Sequence, residues 1–150
     1  MLRENIQNAL KEAMKAKNML EVNAVRMIIA GIKEKDVDAR GKGAKEATDA
    51  DLLAMMQTMI KQRRESIDMY QKGGRADLVA AEQGEIDIIQ TFLPKQMSDD
   101  EVKAAIQAII TEVGATSIKD MGKVMGALKT KYAGQMDMGK ASGLIKAALG

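Results

Sequence analysis

A chain of 150 residues, 46% of them hydrophobic, has material for one domain or two small ones around an apolar core. With no Cys and no His, it can form no disulfide, zinc–thiolate site or thiol nucleophile, and it lacks the side chain most used for acid–base catalysis at neutral pH. Its 23 basic and 21 acidic side chains nearly cancel, but residues 114–150 hold six Lys against Asp120 and Asp137 alone, a local charge of +4.

Nearly every segment repeats its apolar residues with a helical period. Leu2, Ile6, Ala9, Leu10 and Ala13 predict a first short helix ending near Lys17-Asn18. Val22, Val25, Ile29 and Ile32 predict a second, running to about Arg40 and broken by Gly41-Lys42-Gly43. Thr48, with Asp51 three residues on, has the spacing of a capping box. It opens a third helix with the stripe Leu52, Met56, Met59, Ile60, Ile67 and Tyr70, ended by Gly73-Gly74. Leu78, Val79, Ile86, Ile89 and Leu93 mark a fourth.

Pro94, the only proline, is followed by Ser98-Asp99-Asp100-Glu101, a second capping box. The pairing of a lone proline with a fresh cap predicts a boundary at about 94–98. Residues 1–94 then form an N-terminal helical bundle and residues 95–150 a small three-helix tail. Val102, Ile106, Ile109, Ile110 and Val113 give the fifth helix, ended by Gly114. Ser117 can cap a sixth, with Asp120 at the reciprocal position and Met121, Val124, Met125, Leu128 and Tyr132 inward. Asp137 caps a seventh, with Ala141, Leu144, Ile145, Ala148 and Leu149 inward. No alternating β pattern occurs, so the expected fold class is all-α.

Signals for catalysis are weak. Ser66, Ser98, Ser117 and Ser142 lie in caps or helices without a strand–turn–helix elbow, and Ser142 with Lys146 is an i,i+4 pair of the kind helices make by chance. Asp36 with Asp38, and Glu82 with Glu85, are read as solvated carboxylate pairs rather than ion ligands. No phosphate-binding P-loop is present. No catalytic residue, metal or cofactor is expected. No apolar run is long enough for a signal peptide or a membrane span, so the default expectation is a soluble cytoplasmic protein with no membrane partner.

Two related decapeptides stand out near the C-terminus. Asp120-Met121-Gly122-Lys123-Val124-Met125-Gly126-Ala127-Leu128-Lys129 is echoed by Asp137-Met138-Gly139-Lys140-Ala141-Ser142-Gly143-Leu144-Ile145-Lys146. At about 100° per residue, Gly122, Gly126 and Lys129 line one polar flank of the sixth helix, with Lys119 and Lys123 nearby. Gly139, Gly143 and Lys146, with Lys140, do the same on the seventh. Each glycine inside a helix costs roughly 0.5–1 kcal/mol against alanine, so four on outward faces ask for a reason. One reason is close helix–helix packing. The other is close approach of a phosphate backbone, with Lys supplying charge and backbone N–H groups near Gly122 and Gly139 supplying donors. The scarcity of aromatics (Tyr70, Phe92 and Tyr132) argues against a single-strand reader that stacks bases and suits a folded RNA recognised by shape. The run Lys61-Gln62-Arg63-Arg64 is a second basic feature. It reads first as an exposed face, with Lys61, Arg63 and Arg64 as a possible extension of a phosphate-contacting surface.

Several stretches together resemble the YqeY family. They are Val25-Arg26-Met27, Lys61-Gln62-Arg63-Arg64-Glu65-Ser66-Ile67, Gly74-Arg75-Ala76-Asp77-Leu78, Phe92-Leu93-Pro94-Lys95-Gln96 and Asp120-Met121-Gly122-Lys123-Val124-Met125-Gly126. That family comprises free-standing relatives of the C-terminal helical and tail region of GatB, the B subunit of the tRNA-dependent amidotransferase. The resemblance covers almost the whole chain and implies two α-helical subdomains, the tail being a tRNA-contacting element. It does not imply catalysis. The label of carbon–nitrogen ligase activity with glutamine as amido-N-donor belongs to the larger enzyme, whose reactive sites lie in parts this chain lacks. The expected function is a non-catalytic tRNA-binding accessory protein. The alternative is an interaction module docking on an amidotransferase or an aminoacyl-tRNA synthetase.

Overall fold

The computed structural model describes residues 1–150 and is all-α, as the periodicity predicts. The helices are α1 (Leu2–Lys15), α2 (Met19–Gly41), α3 (Asp49–Lys72), α4 (Ala76–Gln90), α5 (Asp99–Val113), α6 (Met121–Lys131) and α7 (Met138–Leu149), with a single 3-10 turn at Ile118–Asp120. The chain divides into two compact units, Met1–Leu93 and Pro94–Gly150.

In the first unit α1 packs on α2, α2 packs against both α3 and α4, and α3 and α4 share the most extensive contact. Its core gathers Ile6, Val25, Ile28, Leu52, Met56, Ile86 and Ile89, all essentially excluded from water. Burying an aliphatic side chain of this size contributes roughly 1.5–3 kcal/mol, so this cluster dominates the unit's stability without any aromatic in its centre. Gly31 on α2 makes room for the Met55 side chain of α3, since a Cβ there would lie 2.8 Å from Met55 Sδ.

The caps at Thr48 and Ser98 are made as read, and Asn18, expected only as a helix end, adds another. Asn18 Oδ1 accepts from the Glu21 N–H and opens α2. Thr48 and Asp51 bond reciprocally at the head of α3, at 3.2 and 3.1 Å. Ser98 and Glu101 do the same for α5, at 3.2 and 3.3 Å. Each pairing satisfies backbone donors that a helix start otherwise leaves to water.

Two helix ends share one geometry with different residues. After α5 the chain turns through Gly114 at φ 67°, and the Ala115 N–H reaches Ile110 O. After α1 it turns through Lys17 at φ 55°, and the Asn18 N–H reaches Ala13 O. Both are left-handed terminations, a conformation glycine adopts freely and lysine does not.

Loop closure before α3 depends on α1. Arg3 donates to both carboxylate oxygens of Asp36, at 3.0 and 2.8 Å, and to Ala47 O at 2.9 Å. Asp36 Oδ1 in turn accepts the Ala47 N–H at 2.9 Å. This network explains Asp36: it is a structural anion, pulled down to a pKa of about 2 first by the Arg3 hydrogen bond and then by the Ala47 N–H.

The second unit has its own core of Val102, Ala105, Ile106, Ile109, Val124, Leu128, Met136, Ala141 and Ile145. Met97 N–H to Gln135 O at 2.9 Å and Gln96 Nε2 to Gly134 O at 2.7 Å tie the segment entering α5 to the α6–α7 turn. One inward expectation is corrected: Ala148 is exposed, although it shares the arc of Ala141 and Ile145, because it sits in the last turn of α7.

Candidate nucleic-acid interface

The geometry of α6 begins at Ser117. The chain is extended there and then makes the 3-10 turn, so Asp120 stands at the junction of turn and helix. The Asp120 carboxylate accepts the Thr116 N–H at 3.0 Å and the Ser117 N–H at 3.4 Å. These bonds, the Thr116 one foremost, with Lys123 adding its charge, hold the carboxyl below its usual pKa. One turn on, Val124 and Leu128 are fully buried, which fixes the rotation of the helix. Gly122, Lys123, Gly126, Lys129 and Thr130 consequently face water.

Helix α7 repeats the pattern with a different start. Asp137 is itself the cap, its Oδ1 accepting from the N–H groups of Gly139 at 2.8 Å and Lys140 at 3.4 Å. Ala141 and Ile145 are buried, and Gly139, Lys140, Gly143 and Lys146 face outward. The expectation that the Gly139 N–H would bind a phosphate is therefore corrected: that donor already serves Asp137, whose negative charge stands where the ligand would sit.

The glycines are open. A Cβ added at Gly122, Gly126 or Gly143 would meet no atom within 4 Å, so no helix of their own unit packs into them. The space is real, and alanine would fit it.

The lysines divide by company. Lys140 Nζ lies 4.0 Å from Asp99 and Lys131 Nζ 4.0 Å from Glu112, both long, exposed pairs worth little in water. Lys119, Lys123, Lys129 and Lys146 are exposed and have no carboxylate within ion-pair reach. The two acids of residues 114–150 are occupied with caps, so four cations outside any ion pair dominate this surface, Lys123 alone acting on Asp120 through its charge. Lys131, also exposed, adds to them, its only carboxylate contact being the long pair with Glu112. It falls outside both decapeptides, and the count of six lysines in this stretch is the signal that could have found it. The one aromatic of the unit, Tyr132, is half-buried, with Lys131 Nζ 5.9 Å from its ring centre.

The run on α3 behaves differently. Lys61 and Arg64 are exposed, but Arg63 is only 7% exposed. Its Nε donates to Glu85 Oε2 at 2.8 Å, its Nη1 to Met59 O at 3.1 Å and its Nη2 to Met27 Sδ at 3.4 Å. Arg63 is thus removed from the candidate surface, because its guanidinium is spent on three helices of its own unit. Of the carboxylate pairs weighed in the sequence, Asp36 and Glu85 are likewise engaged by arginines. No group of three or more acidic side chains is arranged to hold a metal ion, and no helix is long and apolar enough to cross a membrane.

Comparison with known proteins bears on the whole chain. A family model described as "Yqey-like protein" matches residues 3–149. "Altered inheritance of mitochondria protein 41, mitochondrial" from Lachancea thermotolerans is 37% identical over 111 residues, covering 73% of this chain and 58% of that protein. The proteins of the same name from Saccharomyces cerevisiae strain YJM789 and from Eremothecium gossypii are 35% and 34% identical. These matches cover 81% and 75% of this chain, and 67% and 61% of the relatives. The chain therefore spans about three fifths to two thirds of the length of these relatives. Their names also overturn the cytoplasmic expectation: they are mitochondrial proteins by name, and the scarcity of long apolar runs in the sequence assigns no compartment.

Proposed function

The chain belongs to the YqeY-like family, and from that premise we propose that it is a non-catalytic tRNA-binding accessory protein whose C-terminal unit engages the phosphates of a folded tRNA. The observation that carries the reading is the unpaired state of Lys119, Lys123, Lys129 and Lys146 beside acids already committed to helix caps. Exposed cations without counter-charges are what counterion release at a polyanion needs. Lys131 and Lys140 add to them, and Gly122, Gly126 and Gly143 leave room for a sugar–phosphate backbone to lie close. Lysine is a point charge rather than a fork, so such a surface reads backbone position and shape, not base identity. Lys61 and Arg64 are exposed cations of the other unit and stand as secondary candidates.

The open glycines also favour a second reading, a docking module on an amidotransferase or an aminoacyl-tRNA synthetase, in which a partner helix fills the Gly122–Gly126 stripe. Titrating the purified full chain with labelled tRNA at low salt separates the two. Binding supports the first reading. No binding to tRNA, together with capture of a synthetase or amidotransferase that Gly126→Leu abolishes, supports the second.

A further inference from the structure

The Arg63 node contains an unusual acceptor. Of its guanidinium's five N–H donors, Nε–H is held by Glu85 and one Nη1–H by Met59 O, and an Nη2–H points at the sulfur of Met27 at 3.4 Å. A thioether is a weak acceptor, so the contact to Met27 is the weakest of the three bonds this buried cation makes. Met27 is also 45% exposed, which opens it to small oxidants from solution. Met14, Met19 and Met69 are exposed too, but no donor addresses their sulfurs.

We propose that Met27 is an oxidation site built into the first unit, and that Arg63 captures its sulfoxide. In the reaction a peroxide transfers one oxygen atom to the sulfur. The O–O bond breaks, an S–O bond forms, sulfur loses two electrons, and the peroxide is reduced to water or an alcohol. The product's oxygen is a strong, polar acceptor placed beside a fixed guanidinium, so the weak N–H···S contact becomes a charge-assisted N–H···O bond. Met27 lies on α2, Arg63 on α3 and Glu85 on α4, so oxidation tightens the junction of three helices. This is the reverse of the usual outcome, in which sulfoxide formation disrupts an apolar contact. Because sulfoxides are reducible by dedicated reductases, the tightening is reversible.

The test treats the folded full chain with limiting hydrogen peroxide, maps sulfoxides by peptide mass spectrometry, and compares thermal midpoints before and after. The expected result is sulfoxide at Met27 and a midpoint raised by roughly 2–5 °C, a shift on the scale of one net hydrogen bond in a domain of this size. In Met27→Leu the peroxide-induced rise disappears, whatever that variant's own starting midpoint. Arg63→Lys, if it folds, loses the rise while still forming the sulfoxide. Met27 left unmodified while Met14 and Met69 oxidise would overturn the proposal. So would a midpoint that falls or stays level on oxidation of Met27, or a rise that persists in Met27→Leu.

Discussion

Glu85 on α4 accepts the Nε–H of Arg63 on α3 at 2.8 Å, and that single pair turns the middle of a basic sequence run into a packing element. The charge of Arg63 is compensated inside the bundle, while its neighbours Lys61 and Arg64 remain on the surface. Removing the guanidinium would strand Glu85 and the Met59 carbonyl. Arg63→Ala is expected to lower unfolding free energy by roughly 3 kcal/mol, toward the lower end for broken buried pairs because Glu85 keeps some contact with water. Lys61→Ala and Arg64→Ala should stay within about 0.5 kcal/mol of the parent. Urea titration of the three variants measures the contrast, and equal effects would contradict the assignment.

Lys17 and Gly114 occupy equivalent left-handed positions at two helix ends. Lys17→Gly should stabilise the chain by about 1 kcal/mol by relieving an unfavourable backbone conformation. Gly114→Ala should destabilise it by a similar amount. Thermal melts of both variants check the opposite signs.

Much of this fold is legible in the sequence because its helices carry their own punctuation. Thr48 with Asp51, Ser98 with Glu101, and Asp137 each announce a helix start through chemistry confined to a few neighbouring residues. Most buried stripes follow from periodicity, but on α2 the core residue is Ile28, with the expected Ile29 only partly buried. What the sequence did not reveal lies in long-range pairing. Arg3 meets Asp36 across 33 positions and Arg63 meets Glu85 across 22, and no local pattern says which of many charged side chains will be paired. On the candidate surface, the outward direction of Gly122, Lys123, Gly126 and Lys129 could be read from helical spacing, and the capture of the Gly139 N–H follows from the cap read at Asp137, which conflicts with the phosphate role expected of that same donor.

Acid should loosen the loop before α3. The Asp36 pKa is depressed to about 2 in the folded chain by Arg3 and the Ala47 N–H, while the unfolded value stays near the ordinary one, about 3.9. The stabilisation is therefore fully present above about pH 4 and is lost as pH falls through about 2. Thermal midpoints measured between pH 5 and 2 should drop for the parent chain. In Asp36→Asn that part of the drop should be missing, from a lower starting point.

Asp137 separates stability from charge. Asp137→Ala removes the cap of α7, an expected loss of about 1 kcal/mol. It also deletes one of two negative charges in residues 114–150 and frees the Gly139 N–H. If the lysine surface binds RNA, this variant should melt earlier and yet bind tRNA at least as tightly as the parent. Paired melting and binding curves on the same preparation test that split.

The salt dependence of tRNA binding tests the central claim most directly. Fluorescence anisotropy of labelled tRNA with the full chain, repeated at several salt concentrations, should give a log–log plot of affinity against salt that falls steeply. Lys123→Ala and Lys146→Ala should each make the slope shallower by roughly one, the signature of a lost phosphate contact. Affinity indifferent to salt, or slopes unchanged in both variants, would contradict the account.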